Sequence, residues 1–190
     1  MHLIMKTIIL IVSFLIAFSG NMLLQSQQIY FTKTGKVEFS SKTPIENIEA
    51  VNNEATSFLN ATTGDLVFAV LIKSFRFQKA LMEEHFNENY MESTKFPKAD
   101  FKGKIANIEA IDLSKDGEYK VTVKGNLTMH GVTKPASADG VVTVKGGKIS
   151  AKSTFVIKLS DYKIERPSVV ANKISETINI QVQTAYELKK

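Results

Sequence analysis

From Tyr119 to Met129 the chain reads YKVTVKGNLTM. Tyr119, Val121, Val123, Gly125, Leu127 and Met129 fall on one side; Lys120, Thr122, Lys124, Asn126 and Thr128 fall on the other. Successive strand side chains point to opposite faces, so this alternation marks a strand with one dry face and one wet face. The segment Lys148 to Leu159 repeats it, with Ile149, Ala151, Ser153, Phe155, Ile157 and Leu159 opposite Lys148, Ser150, Lys152, Thr154 and Lys158. A third copy, Ile174 to Leu188, sets Ile178, Ile180 and Val182 against Thr177, Asn179, Gln181 and Gln183. Long strands with a polar outer face argue for an antiparallel sheet.

Turn residues punctuate these runs. Asp116-Gly117 precedes the first, and Gly146-Gly147 separates Ala136–Lys145 from Lys148–Leu159. Both dipeptides suit two-residue hairpins, because glycine reaches positive φ without a Cβ clash. The stretch GVVTVKGGKIS lacks the glycine spacing of a phosphate loop, and Ile149, not Ser or Thr, follows Lys148. Further strands are expected at Ile29–Thr34, Lys36–Ser41, Ile45–Asn52, Ala55–Asn60, Asp65–Phe75 and Ala99–Ile111. One helix is expected from Phe77 to about Asn89, a stretch rich in helix formers and free of Gly and Pro. The expectation is one antiparallel β domain with a single inserted helix.

Long strands in an open sheet leave unpaired edges, and closure into a barrel removes them. About eight strands enclose an interior that is either filled by side chains or holds one small ligand. Small residues occupy much of the expected dry face: Ala99, Gly103, Gly125, Ala136, Ala138, Ala151 and Ser153, beside Phe101, Leu127 and Phe155. They leave volume for a ligand, or they pack against the helix and large neighbours across the barrel. Composition leaves both readings open.

The N-terminus has a different character. A short basic start, MHLIMK, leads into the apolar run Ile8 to Phe18, which is short for a membrane span. Ala17-Phe18-Ser19 has the small-x-small form of a signal-peptidase site, and Ser26 is a second candidate. The reading is a cleaved signal over residues 1–26 and one domain over 27–190, roughly 165 residues. With no cysteine, an exported chain has no disulfide framework, which favours a bacterial envelope. The sequons at Asn60 and Asn126 carry little weight there. Removing Lys6 with the signal lowers the net charge from +5 to +4, and the lysines are spread along the strands. There is no basic patch with interleaved aromatics of the kind that binds nucleic acid.

Catalytic and metal constellations are thin. After the signal only His85 and His130 remain as histidines. The best metal candidate is His85 with Glu84 and Glu88, and a helix whose polar side faces water explains those residues better. No Gly-x-Ser-x-Gly elbow is present, and the carboxylates show no glycosidase-like pairing. No catalytic residue, metal site or cofactor is expected. Phenylalanine dominates the aromatics, which in a β protein mostly signifies core.

Three blocks resemble a known family. Gly125 to Pro135, GNLTMHGVTKP, is similar to the "G-x-L-T-hydrophobic-x-G-V-T-K/R-P" segment of the YceI-like proteins. Glu84 to Ile105 is similar to that family's helix, "F-F" and "Y-P-x-A-x-F" run, with Tyr90-Met91 at the aromatic pair and Phe96-Pro97 at Tyr-Pro. Leu159 to Ile164, LSDYKI, resembles its "R-x-D-F-G-I". The resemblance spans nearly the whole mature chain. Lys163 stands where the family has glycine, Met91 replaces an aromatic, and the second block is about one residue short.

The resemblance implies an all-β fold, an extended eight-stranded antiparallel β-barrel of lipocalin-like shape with one inserted α-helix. It implies an exported bacterial protein, periplasmic or secreted, that binds polyisoprenoids and related lipids without catalysis. The candidate ligand-binding residues are Phe39, Phe68, Phe101, Val121, Val123, Gly125, Leu127, Ala151, Phe155, Ile157, Ile178 and Ile180. The expected ligand is an amphipathic isoprenoid, isoprenoid quinone or fatty-acyl lipid. Transient contact with a membrane surface and a homodimer are the further partner expectations, with no nucleic acid and no metal. The family pattern needs no histidine at position 130, so His130 is expected to be a solvent-facing turn residue. The alternative function is a structural or stress-related envelope barrel with a packed interior. An enzyme using His85 and nearby carboxylates is the weakest reading.

Overall fold

The computed structural model describes residues 28–189, and the expected signal over residues 1–26 lies outside them. Eight strands form the wall: β1 (Ile29–Lys42), β2 (Asn47–Asn60), β3 (Asp65–Leu71), β5 (Lys98–Ile105), β6 (Gly117–Met129), β7 (Val132–Lys145), β8 (Lys148–Lys158) and β9 (Thr177–Leu188). They neighbour one another in the order β1-β9-β8-β7-β6-β5-β3-β2, and a β1–β2 pairing closes the ring. Each ladder is antiparallel. A two-residue strand, β4 (Arg76–Phe77), is appended to β2. The barrel has the expected strand number and sense.

Four of the expected strands merge into two. Ile29–Thr34 and Lys36–Ser41 are one strand, bent by a register shift on either side of Gly35. Ile45–Asn52 and Ala55–Asn60 likewise join as β2. A Cβ on Gly35 would lie 2.9 Å from the Ala55 carbonyl oxygen and 3.4 Å from Thr184 Cγ2. Only glycine lets the three strands approach this closely, and the register shifts on either side of it mark a bulge.

Two expected strands are shorter than their apolar patterns. β3 ends at Leu71 and gives way to a tight turn over Ile72–Ser74; β5 ends at Ile105, before another over Ile108–Ala110. The β7–β8 ladder runs only from Gly140/Ser153 to Lys145/Lys148. Where it stops, the Ser153 hydroxyl donates to the Asp139 carbonyl at 2.7 Å. The first half of β7 therefore has a free edge, which explains why Pro135 sits inside the strand and not at its start.

The helix is shorter than expected. α1 spans Ala80–His85, and a wider turn over Phe86–Tyr90 follows, in which the Met91 amide donates to the Phe86 carbonyl at 2.9 Å. Six residues are too few to hold a helix by propensity. Tertiary contacts hold it instead. The Phe86 ring lies 5.4 Å from Phe39, 5.6 Å from Phe75 and 5.1 Å from Phe77, each such pair contributing about 0.5–1.5 kcal/mol beyond area burial. Glu83 accepts from the Arg76 guanidinium at 2.7 Å and from the Phe77 amide at 3.2 Å.

Apolar residues gather at both ends of the barrel. At one end Leu59, Leu66, Ile105, Val121, Val142, Ile149 and Tyr186 close a floor. At the other, Ile72, Met91, Leu159, Tyr162, Ile164 and Ile178 pack beneath α1 and the loop that follows β8.

Candidate functional site

The interior is not close-packed. A cavity of about 550 Å³ runs from the floor to α1, a size typical of small-molecule sites. Its wall is almost wholly apolar, and eleven of the twelve candidate residues line it: Phe39, Phe68, Phe101, Val121, Val123, Leu127, Ala151, Phe155, Ile157, Ile178 and Ile180. Gly125 does not.

The small inward residues divide into two groups. Ala99, Ala136, Ala138, Ala151 and Ser153 border the cavity, so their missing volume is open space. Gly103 and Gly125 face one another across the β5–β6 ladder, and a Cβ on either would lie 2.7 Å from Cζ of Phe101. The ring of Phe101 covers both glycines and, with Phe68, helps wall the lower cavity. At Gly125 the added atom would also collide with the Lys102 carbonyl oxygen. The expected open space beside Gly125 is therefore filled by its neighbours.

The cavity mouth lies between the β1–β2 hairpin, α1 and residues 165–175. Glu46, Lys79, Leu81, Met82, His85, Lys173 and Ile174 border it. Lys79 reaches across to Glu46, 3.8 Å away, an exposed pair worth little to stability. Leu81 of this rim faces solvent (61 % exposed), as do Ile45 (59 %) and Val169 (83 %), the chain neighbours of the lining residues Glu46 and Val170. Of the rim residues on the loop after β8, Ile174 opens the third alternating run, although the strand itself starts only at Thr177, and nothing in the sequence marked Lys173.

The YceI-like domain model matches residues 18–186. This chain belongs to the YceI-like family. A polyisoprenoid binding domain from Saccharophagus degradans, implicated in plant cell wall breakdown, matches with a TM-score of 0.74 at 17 % identity, over 86 % of this chain and 99 % of that one. BcnA of Burkholderia cenocepacia matches with 0.67 at 16 % identity, over 80 % and 96 %. A YCEI protein of Campylobacter jejuni matches with 0.60 at 20 % identity, over 78 % and 89 %. These likenesses establish the shared fold. No curated protein sequence matches the chain.

In this YceI-like chain the three family-like blocks meet at one point beside the barrel. His130, in the β6–β7 turn, has left-handed backbone with φ 51°. Its Nε2 lies 3.0 Å from Glu92 Oε1, and its Nδ1 lies 3.0 Å from the Tyr162 carbonyl oxygen. The Phe96 ring packs edge-on against the imidazole, centroids 4.8 Å apart. The His130 side chain is only 9 % exposed. The expectation of a solvent-facing residue is thus corrected: the backbone makes a turn, but the ring is an internal brace. Sequence spacing could not reveal this, because Glu92 and Tyr162 are remote along the chain.

Lys163 explains the family's glycine. It adopts φ 56° at the end of the Leu159–Tyr162 turn, with the Ile164 amide donating to the Leu159 carbonyl at 3.0 Å. That is the left-handed cap position where glycine avoids a Cβ penalty. Met91 fills its family-aromatic position as a buried member of the upper cluster. His85 sits exposed at the end of α1, and Glu84 and Glu88 are exposed. Among the described residues no three His, Cys, Asp or Glu side chains cluster so as to hold a metal ion.

Proposed function

We propose that this chain is an exported, non-enzymatic carrier of an amphipathic lipid: a polyisoprenoid, isoprenoid quinone or fatty-acyl chain held along the barrel axis. The observation that carries this reading is the apolar cavity inside the barrel. Transferring a hydrocarbon chain from water into it is favourable at about 25 cal/mol per Å² of apolar surface. Membership of the YceI-like family and a fold shared with a polyisoprenoid binding domain support it further. Mass spectrometry of lipid gently extracted from protein purified from its native envelope tests it. One lipid per chain is the expected result. Protein that repeatedly arrives empty, with a collapsed interior, would favour the alternative of an envelope barrel acting through its surface.

The rim of the mouth favours transient contact with a membrane. Ile45, Leu81 and Val169 project from three separate segments around the opening, with Lys42, Lys79 and Lys173 exposed beside them. Apolar side chains can enter the acyl boundary while lysines meet anionic headgroups. The homodimer expectation has one candidate surface, the outer cross-strand row Phe31, Phe58 and Val67, and sedimentation of the purified protein decides it.

A further inference from the structure

The cavity floor is apolar except on its β9 side. There Thr184 borders the cavity and is 6 % exposed, and its Oγ1 has no hydrogen-bond partner among the described residues. Tyr186, two residues on and on the same face of β9, also borders the cavity. Its hydroxyl pairs with that of buried Ser57 at 2.8 Å. Burial pushes the Tyr186 phenol up, opposed first by its hydrogen bond with Ser57 and then by the nearby Thr184 hydroxyl, which does not itself reach hydrogen-bond geometry. Ala151, the register partner of Thr184 on β8, leaves open space in front of this pair.

A buried hydroxyl with no partner is costly, and native folds leave few of them. A tunnel for hydrocarbon alone gains nothing from one. We propose that Thr184 and Tyr186 form a polar subsite at the floor, which hydrogen-bonds an oxygen at the leading end of the lipid. The lipid then enters oxygen first, with its chain trailing toward the mouth. The apolar floor cluster holds no charged residue; Lys152 borders the cavity where β7 and β8 part, but it is exposed and lies on the outward phase of β8. Burying an unpaired carboxylate or phosphate there is prohibitive. The ligand class is a neutral oxygenated chain lipid, with a hydroxyl or carbonyl as the buried group.

This inference rests on the lipid-carrier reading, so its test separates the two. Delipidated protein is exposed to neutral vesicles carrying geranylgeraniol, its deoxy hydrocarbon, or geranylgeranyl phosphate, and binding is read by native mass spectrometry. Wild type should prefer the alcohol to the hydrocarbon by about tenfold, the worth of one well-made hydrogen bond. Thr184→Val should abolish that preference while binding the hydrocarbon as wild type does, and Thr184→Ser should retain it. Thr184→Ala provides a second removal of the hydroxyl should the valine variant fold poorly. Equal binding of alcohol and hydrocarbon by wild type, or an unchanged preference in the hydroxyl-free variants, overturns the subsite and leaves the carrier reading standing. Tighter binding of the phosphate than the alcohol also overturns it. Failure of every probe to bind overturns both.

Discussion

His130 Nε2 lies 3.0 Å from Glu92 Oε1, and both residues hold left-handed backbone, with φ 51° and 43°. The other ring nitrogen meets the Tyr162 carbonyl oxygen, which can only accept. An ionised carboxylate also only accepts, so the ring serves both partners when both nitrogens carry protons. One side chain thereby joins the β6–β7 turn, the segment after α1 and the turn after β8. Replacing it takes the ring's donor from the carbonyl of buried Tyr162, while the exposed Glu92 carboxylate keeps Lys95 and water. His130→Ala should lower unfolding stability by about 1–3 kcal/mol, well beyond an ordinary surface change. Urea unfolding checks this, and a loss of only a few tenths would mean that the brace contributes nothing.

The Glu92 carboxyl is held below its usual range, first by the hydrogen bond from His130 and then by Lys95. A lowered folded-state value stabilises the fold above the ordinary carboxylate range, and that contribution is lost as pH falls through the lowered value. The stability gap between wild type and Glu92→Gln should therefore be full near neutrality and shrink in acid. Denaturation midpoints across an acid pH series measure it. A gap independent of pH would show that the carboxylate charge is not involved.

Lys163 offers the opposite sign. Its φ of 56° costs a Cβ-bearing residue roughly 1–2 kcal/mol, part of which glycine returns through its more flexible unfolded chain. Lys163→Gly should stabilise the protein by about 0.5–1 kcal/mol and leave lipid content unchanged. Thermal unfolding decides it, and a destabilised variant would show that the lysine side chain makes a contact worth more than the strain.

Gly125 and Ala151 should respond differently to a large side chain. Ala151→Phe places a ring in the open lower cavity, so bound lipid should be lost while the empty barrel keeps the stability of delipidated wild type. Gly125→Leu meets the Lys102 carbonyl and the Phe101 ring, and should cost at least about 1–3 kcal/mol with or without lipid. Lipid content and melting temperature, measured together, distinguish the two. Similar behaviour of both variants would falsify the division of small residues into open and covered.

Leu81 and Val169 should set the rate of exchange with membranes. A leucine contributes about 1.5–3 kcal/mol when fully buried, so Leu81→Asp should weaken association with anionic vesicles by about tenfold. Val169→Asp should act in the same direction, and neither should alter the fold, since both side chains are exposed. Vesicle co-flotation provides the measurement, and unchanged partitioning in both variants would remove the rim from the docking surface.

Most of the candidate wall was legible because alternation is a local property. Once Val121, Val123 and Leu127 share a phase, the pleat sends them to one face whatever else the chain does. Thr184 shares the phase of Ile178, Ile180 and Val182 on β9, but alternation alone gave no reason to single it out, and only the cavity shows its place. Gly35 was harder, since a glycine between two short runs reads as a break until the neighbouring strand shows it to be a bulge.

By itself, then, the sequence determined an antiparallel barrel with a dry interior, because side-chain phase and turn chemistry depend on residues a few positions apart. The tertiary structure alone decided where that interior is empty. Whether a small residue leaves a void depends on what its neighbours across the ladder reach: Phe101 covers Gly125, whereas Ala151 borders the cavity. It also decided the role of His130, whose partners Glu92 and Tyr162 come within hydrogen-bond distance only after the barrel closes. Cavity volume and long-range contact are properties of how distant segments pack, and local periodicity carries no record of them.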